Sequence, residues 1–114
     1  MNHPWPPSLT AEERIALDEI KAGIRALFPV EQFVLFGSKA RGDDHEFSDI
    51  DLLAVIESTL SGADKRKISD AVFDVNLKRN TQFSVISASS TEFHSEVWSR
   101  LPIFRIIASE GVVV

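Results

Sequence analysis

Two stretches of the chain decide its fold: Phe33-Val34-Leu35-Phe36-Gly37-Ser38 and Asp49-Ile50-Asp51-Leu52-Leu53-Ala54-Val55-Ile56. The first is an unbroken apolar run that ends in a Gly-Ser pair, which predicts a strand buried on both faces and then a sharp turn. In the second, alternate residues share one face of a predicted strand, so Asp49 and Asp51 lie on the same face as Leu53 and Val55. We therefore expect two core strands with polar groups at their ends.

The Asp49-x-Asp51 pair has the spacing of a cation site. On a strand, the two residues lie about 6.5 Å apart, so both carboxylates can converge on one hard cation. Magnesium is typically held by one or two carboxylates together with substrate phosphates. Without a cation the two carboxylates would repel each other. An isolated Asp-x-Asp pair is more often a solvated strand end, so the preceding Gly-Ser pair is needed to favour a metal site.

The Gly37-Ser38 pair predicts a phosphate-binding turn. Glycine lets the backbone approach a ligand closely. A serine at the start of a helix leaves a hydroxyl and free N–H groups for phosphate oxygens, and Arg41 could add a fork of donors. A Gly-Ser pair alone is most often an ordinary turn. Its position between two strands, ahead of the acidic pair, favours a site for a nucleotide with a divalent cation.

The rest of the chain alternates between helical and strand patterns. The first helix is predicted from the capping box at Thr10 to Pro29, with an apolar stripe of Leu17, Ile20, Ile24 and Leu27. Further helices are predicted over residues 63–79, from Thr91, and after Pro102. Further strands are predicted over residues 82–87 and 112–114. This order predicts an α/β (α+β) fold, in which a small mixed sheet is flanked by helices. Residues 1–9 are expected to form a proline-rich arm outside the core, and residues 10–114 a single domain.

Composition excludes several classes of function. A length of 114 residues fits one domain, and the absence of cysteine excludes disulfides and thiolate chemistry. A net charge of -5 argues against a stable nucleic-acid groove. No apolar run approaches the length of a membrane span and no signal peptide is visible, so a cytoplasmic protein without a membrane partner is expected.

Two segments carry a resemblance to a known family: Phe36-Gly37-Ser38-Lys39-Ala40-Arg41-Gly42 and Ser48-Asp49-Ile50-Asp51-Leu52-Leu53. They resemble the minimal nucleotidyltransferase family of the DNA polymerase β superfamily. The resemblance runs from about residue 12 to the C-terminus and implies a polymerase-β-like fold. It implies that Gly37 and Ser38 bind a nucleoside triphosphate, most simply ATP, with Arg41 as a weaker candidate. Asp49 and Asp51 would hold up to two Mg²⁺ ions, and a nucleoside monophosphate would pass to an acceptor.

The chain departs from the family at the third carboxylate. Members usually place this group on the next strand, and alignment puts Gln82 there. Glutamine is neutral and cannot act as a base. The sequence therefore leaves open whether the protein catalyses nucleotide transfer. Asp74 is the nearest acid upstream, but a solvated helix position is the simpler interpretation of it. His45 and His94 are likewise interpreted as a loop residue and a structural residue.

The resemblance also implies a partner. Minimal nucleotidyltransferases often accompany helical HEPN toxins, which some of them adenylylate and others neutralise by binding. The acceptor is therefore expected to be a partner protein of HEPN type, with a catalytically weak or inactive antitoxin as the alternative. Phe73 and Leu77 lie on the helix face opposite the apolar residues Ile68, Val72 and Val75. The sequence is compatible both with internal packing of this face and with a partner surface. Transfer to an aminoglycoside is disfavoured because the chain has no room for a second substrate domain.

Overall fold

The structure, a computed structural model, describes residues 9–37 and 49–114. Its helices are α1 (Ala11–Leu27), α2 (Gly62–Arg79), α3 (Ser90–Phe93), α4 (Glu96–Ser99) and α5 (Pro102–Glu110). Its strands are β1 (Val30–Phe36), β2 (Ile50–Ile56), β3 (Phe83–Ser89) and β4 (Val112–Val113). The predicted α/β architecture with a small mixed sheet is therefore confirmed.

The sheet has four strands in the order β3-β2-β1-β4. β1 is antiparallel to both β2 and β4, whereas β2 and β3 run parallel and are joined by α2. β2 therefore lies in the interior of the sheet, and its residues from Leu52 to Ile56 are all buried. This burial on both faces is what a continuous apolar strand predicts.

Helices cover the two faces of the sheet in two separate apolar layers. α1 and α2 cover the face that carries Phe33, Leu35 and the even-numbered apolar residues of β2. The C-terminal helices α3 and α5 cover the other face, which carries Leu53 and Val55. Asp49 and Asp51 belong to this second face, at the end of β2 that precedes its apolar residues.

Local hydrogen bonds set the beginning of α1. Thr10 and Glu13 form the predicted capping box, with Thr10 Oγ1 accepting from the Glu13 amide at 3.1 Å. Two details of the prediction were wrong. Leu9 was assigned to the arm but is buried in the core, whereas Leu27 was assigned to the apolar stripe but is half exposed. Residues 1–8 lie outside the described residues, so the arm itself stays a prediction.

Local hydrogen bonds and backbone conformation also set the two ends of α2. Ser61 and Asp64 form a capping box at its start, and Asn80 ends it in the left-handed conformation at φ 56°. Asparagine tolerates this conformation better than most residues. Near that end, Arg79 and Lys78 make ion pairs with Glu19 at 2.5 and 2.8 Å, which join α2 to α1.

The C-terminal segment differs from its prediction. One helix was expected from Thr91, but two short helices form, because Ser89 and Ser95 each cap a new start with a side-chain hydroxyl. Pro102 occupies the first turn of α5, as predicted. Across residues 9–37 and 49–114, no helix is both long and apolar enough to cross a membrane.

Candidate functional site

Asp49 and Asp51 lie at the start of the central strand. Asp49 immediately precedes β2 and is exposed, whereas Asp51 is half-buried within it. Burial raises the pKa of the Asp51 carboxyl, and the negative charge of Asp49 raises it further. The ionised form of Asp51 is therefore disfavoured in the protein without a cation, and a positive ion beside it would reverse that effect.

Gly37 lies against Asp51 from the neighbouring strand. Phe36 is the register partner of Asp51, so Gly37 follows at the end of β1 nearest the acidic pair. Its φ is +84°, which favours glycine. A Cβ atom added to Gly37 would lie 2.5 Å from Asp51 Oδ2, so any side chain there would displace the carboxylate. The glycine thus serves both the turn and the acidic site.

The other side of the acidic pair is formed by β3. In the parallel register, Ser84 is the partner of Asp51. The Ile50 amide donates to the carbonyl of Gln82 at 2.9 Å, which sets Gln82 level with Asp49. Because residues in register on neighbouring strands share a face, Gln82 and Ser84 both lie on the acidic face. Sequence reasoning singled out Gln82 and missed Ser84.

An open cleft of about 490 Å³ begins at Asp49 and follows the outer edge of β3. Residues of α2 form its other wall. Its lining includes Asp49, Phe73, Asn76, Leu77, Gln82 and Ser84. Phe73 and Leu77 are 60 % and 69 % exposed, so they do not pack under the C-terminal helix. The cleft and Gly37 therefore lie on opposite sides of the acidic pair.

The acidic pair fits a divalent cation in part. Two carboxylates face the same side, burial and the charge of Asp49 make the anionic form of Asp51 less favourable, and Gly37 leaves room for the Asp51 carboxylate. Both neighbours on β3 are neutral. Among residues 9–37 and 49–114, no group of three Asp, Glu, His or Cys side chains could hold a metal ion. A cation at this site would therefore take its remaining oxygen ligands from water or from a bound phosphate.

The other candidate residues divide into two groups. Ser38, Arg41 and His45 lie outside the described residues, so their roles stay predictions. Asp74 is exposed and does not line the cleft. His94 bonds to Glu31 at 2.9 Å, near the end of β1 away from Gly37, which agrees with a structural role.

Comparison with known families finds one match over most of the chain. The model of the nucleotidyltransferase domain family matches residues 17–108. The chain belongs to this family. The match includes Gly37, the acidic pair and the whole of β3, and so it covers the site described above. A comparison with curated proteins finds no match.

Solved structures with the same fold are distant in sequence. A candidate nucleotidyltransferase from Sulfolobus solfataricus has a TM-score of 0.61 at 21 % identity, covering 93 % of this chain and 84 % of its own. A toxin–antitoxin structure with AMP-PNP gives 0.59 at 18 %, covering 91 % and 72 %. A mutant of the toxin–antitoxin MntA-HpeT gives 0.57 at 17 %, covering 86 % and 70 %. At these identities the likeness establishes the fold alone, which this chain shares with a candidate nucleotidyltransferase and with toxin–antitoxin structures.

Proposed function

We propose that this protein binds a nucleoside triphosphate with Mg²⁺ and transfers the nucleoside monophosphate to a hydroxyl group of a partner protein. The observation that carries the proposal is the contact between the Gly37 turn and the Asp51 carboxylate, with Asp49 beside them on the same face. Family membership supports nucleotidyl transfer as the reaction. ATP is the simplest donor, and one relative by fold was crystallised with AMP-PNP.

The roles of Asp49, Asp51 and Gly37 are inferred from their positions. Asp49 and Asp51 would hold Mg²⁺, and Gly37 would hold the triphosphate together with Ser38 and Arg41, as the family resemblance implies. The acceptor oxygen attacks the α-phosphorus and forms a new P–O bond, while the bond to the bridging oxygen of pyrophosphate breaks. Pyrophosphate leaves with that electron pair, and the acceptor proton passes to solvent. When bound, Mg²⁺ neutralises the charge that develops on the phosphate oxygens.

The cleft along β3 is the proposed side of entry for the acceptor. It lies across the acidic pair from Gly37, so a donor at Gly37 and an acceptor in the cleft would meet at Asp49 and Asp51. Its exposed apolar residues, Phe73 and Leu77, suit a protein surface better than a free sugar. Asp49 is the single ionisable side chain among the described lining residues, which disfavours a nucleic-acid acceptor.

A second function is favoured by the neutral residues on β3. Gln82 and Ser84 stand beside the acidic pair where a further carboxylate would complete a metal site and serve as a base. A protein with this defect could neutralise a helical toxin of HEPN type by binding alone. The toxin–antitoxin structures that share the fold are compatible with both functions.

Transfer of label separates the two functions. The protein is co-purified with its native partner and incubated with Mg²⁺ and ATP labelled at the α-phosphate. We expect label on the partner, together with release of one pyrophosphate per label, and loss of both in Asp49→Ala. The matched control is Asp70→Ala, which removes an exposed aspartate of α2 that does not line the cleft.

The two alternatives give different results. A stable complex that acquires no label supports neutralisation by binding and contradicts transfer. Label that is unaffected by Asp49→Ala would place the chemistry elsewhere in the chain. Label that depends on Asp49 in the absence of the partner would show that the protein modifies itself.

A further inference from the structure

The side chain of Asn76 makes three hydrogen bonds to the segment that leads into β3. Its Nδ2 donates to the carbonyl of Phe83 at 2.9 Å, and its Oδ1 accepts from the Phe83 amide at 3.0 Å. Oδ1 also accepts from Thr81 Oγ1 at 3.0 Å. The Asn76 backbone carbonyl accepts from the Thr81 amide at 3.1 Å. The carboxamide thus pairs with Phe83 as a neighbouring strand would.

These bonds occupy an edge of the sheet that lacks a strand. β3 is the outermost strand, and β2 is its one neighbour in the described sheet. The Ile50 amide bonds to the Gln82 carbonyl, so the N–H and C=O of Phe83 turn away from β2. Unpaired groups at this half-buried edge would be unfavourable. Asn76 supplies both a donor and an acceptor for them.

The register of β3 decides which residues face the acidic pair. Side chains alternate between faces, so a slip of one residue would turn Ser84 away from Asp51. A slip of two residues would keep only one of them beside the acidic pair, because either Ser84 would move level with Asp49 or Gln82 would move opposite Asp51. The bonds from Asn76 fix Phe83 relative to α2, while the side chain of Phe83 is buried in the core under α2. Asn76 therefore acts on the acidic site through β3.

We propose that Asn76 is a positioning residue whose carboxamide holds β3 in the register that places Gln82 and Ser84 beside Asp49 and Asp51. The proposal deepens the proposed function, since it concerns the geometry of the metal site. It does not depend on transfer, because register and metal binding can both be measured without a nucleotide or an acceptor.

The first test measures amide hydrogen exchange. Asn76→Ala is expected to speed exchange of the Phe83 amide at least about tenfold, whereas amides of β1 keep their protection. Asn80→Gly is the matched control. It removes a second asparagine that lines the cleft, and glycine suits the left-handed backbone at that position. Unchanged exchange of Phe83 in Asn76→Ala would overturn the proposal.

The second test uses Mg²⁺ alone as the probe. Ser84→Asp places a carboxylate opposite Asp51 and is expected to tighten Mg²⁺ binding about tenfold, an effect of the size that supporting residues have at metal sites. With Asn76→Ala present as well, the gain should fall below about threefold. Titrations are carried out well below the unfolding temperature of the least stable variant, so loss of folded protein does not contribute.

A purely structural role for Asn76 would leave the Mg²⁺ gain intact. Equal gains in both backgrounds would therefore overturn the proposal, and so would the absence of a gain from Ser84→Asp alone. If Asn76→Ala does not fold, Asn76→Asp replaces it. That variant keeps an acceptor for the Phe83 amide but sets an oxygen against the Phe83 carbonyl, so the Mg²⁺ gain should still fall.

Discussion

Asp51 occupies an unfavourable place for an unpaired anion, because it is half-buried and next to a second carboxylate. Its raised pKa means that the folded chain binds a proton there more tightly than the unfolded chain does. Stability from this group is present at low pH and is lost as the pH rises from about 3.9 through the pKa of the folded state. Asp51 is therefore retained at the expense of stability, as expected of a functional residue.

Asp51→Asn should raise the melting temperature of the metal-free protein by a few degrees at neutral pH. The amide has the shape of the carboxylate but no charge, so the penalty disappears. Millimolar Mg²⁺ should raise the melting temperature of the unaltered protein and have less effect on the variant. Thermal unfolding with EDTA and with Mg²⁺ measures both effects, and the difference without metal should vanish toward pH 3. Lower stability of Asp51→Asn in EDTA at neutral pH would contradict this interpretation.

Gln82→Asp should raise the rate of nucleotide transfer. The new carboxylate would stand level with Asp49, where it could bind metal or accept the acceptor proton. We expect a gain of at least about tenfold, which is less than the roughly 100-fold or more that a well-placed general base contributes, and initial rates of label transfer measure it. Asp74→Asn is the control, because its exposed side chain does not line the cleft and should affect neither rate nor metal binding. The absence of a gain from Gln82→Asp would contradict the assignment of Gln82 to the catalytic site.

At the residue scale, sequence predicted what depends on neighbours along the chain. The shared face of Asp49 and Asp51 follows from the period of a strand, and Gly37 follows from the need for a turn. Ser84 could not be found in this way, because its place opposite Asp51 depends on the register between two strands separated by α2. The contact between Gly37 and Asp51 is likewise set by pairing across the sheet.

The helix α2 is the element that uses two faces for different purposes. One face packs Ile68 and Val72 into the core, and the other presents Phe73 and Leu77 to the cleft that begins at Asp49. The two exposed residues are four positions apart, so they form one continuous patch on the helix surface. This patch is where a partner protein would contact the site.

Loss of the patch should weaken the action on the partner without changing the nucleotide site. We expect Phe73→Ala with Leu77→Ala to lower label transfer at least about fivefold, the effect of losing roughly 1 kcal/mol of contact energy. Binding of MgATP should stay unchanged. Val97→Ala on α4 is the matched control, because Val97 is 71 % exposed but belongs to another helix. Unchanged affinity of the double variant for the partner would exclude this face of α2 as the partner surface.

The contact between α1 and α2 predicts a second, pH-dependent effect. Hydrogen bonds from Arg79 and then Lys78 lower the pKa of Glu19 to about 2. The stability that Glu19 contributes is present above the unfolded pKa of about 4.3 and is lost as the pH falls toward 2. Glu19→Gln should therefore lower the melting temperature slightly at pH 7 and not at pH 2. Glu57→Gln, a change at an exposed glutamate, serves as the control; equal effects of the two variants would contradict the assignment.

Elements were predictable where local signals agree. The capping box of α1, the left-handed Asn80 and Pro102 each mark an end of a helix through contacts within a few residues. The segment after Thr91 was less predictable, because the second serine cap at Ser95 competes with continuation of the helix. The exposure of Leu27, Phe73 and Leu77 is set by tertiary packing. Helical periodicity alone does not show which apolar side chains other elements cover.

The whole molecule is a sheet covered by helices on both faces, with its acidic pair at the start of the central strand. The C-terminal helices cover Leu53 and Val55 on the acidic face, whereas Asp49 is open to solvent. The acidic pair thus lies between Gly37 on one side and the cleft along β3 on the other. The net charge of -5 repels a triphosphate, so its approach is more favourable when a cation neutralises part of the phosphate charge.

Calorimetric titration of ATP into the protein, with Mg²⁺ and with EDTA, tests the site most directly. It is performed on the unaltered protein, on Asp51→Asn, which is expected to stay folded, and on Asp70→Asn as a matched change on α2. Saturable binding should require Mg²⁺, should weaken at least about tenfold in Asp51→Asn, and should persist in Asp70→Asn. Equal binding in the unaltered protein and Asp51→Asn, or no binding with Mg²⁺ present, would contradict a nucleotide site at Gly37 and the acidic pair.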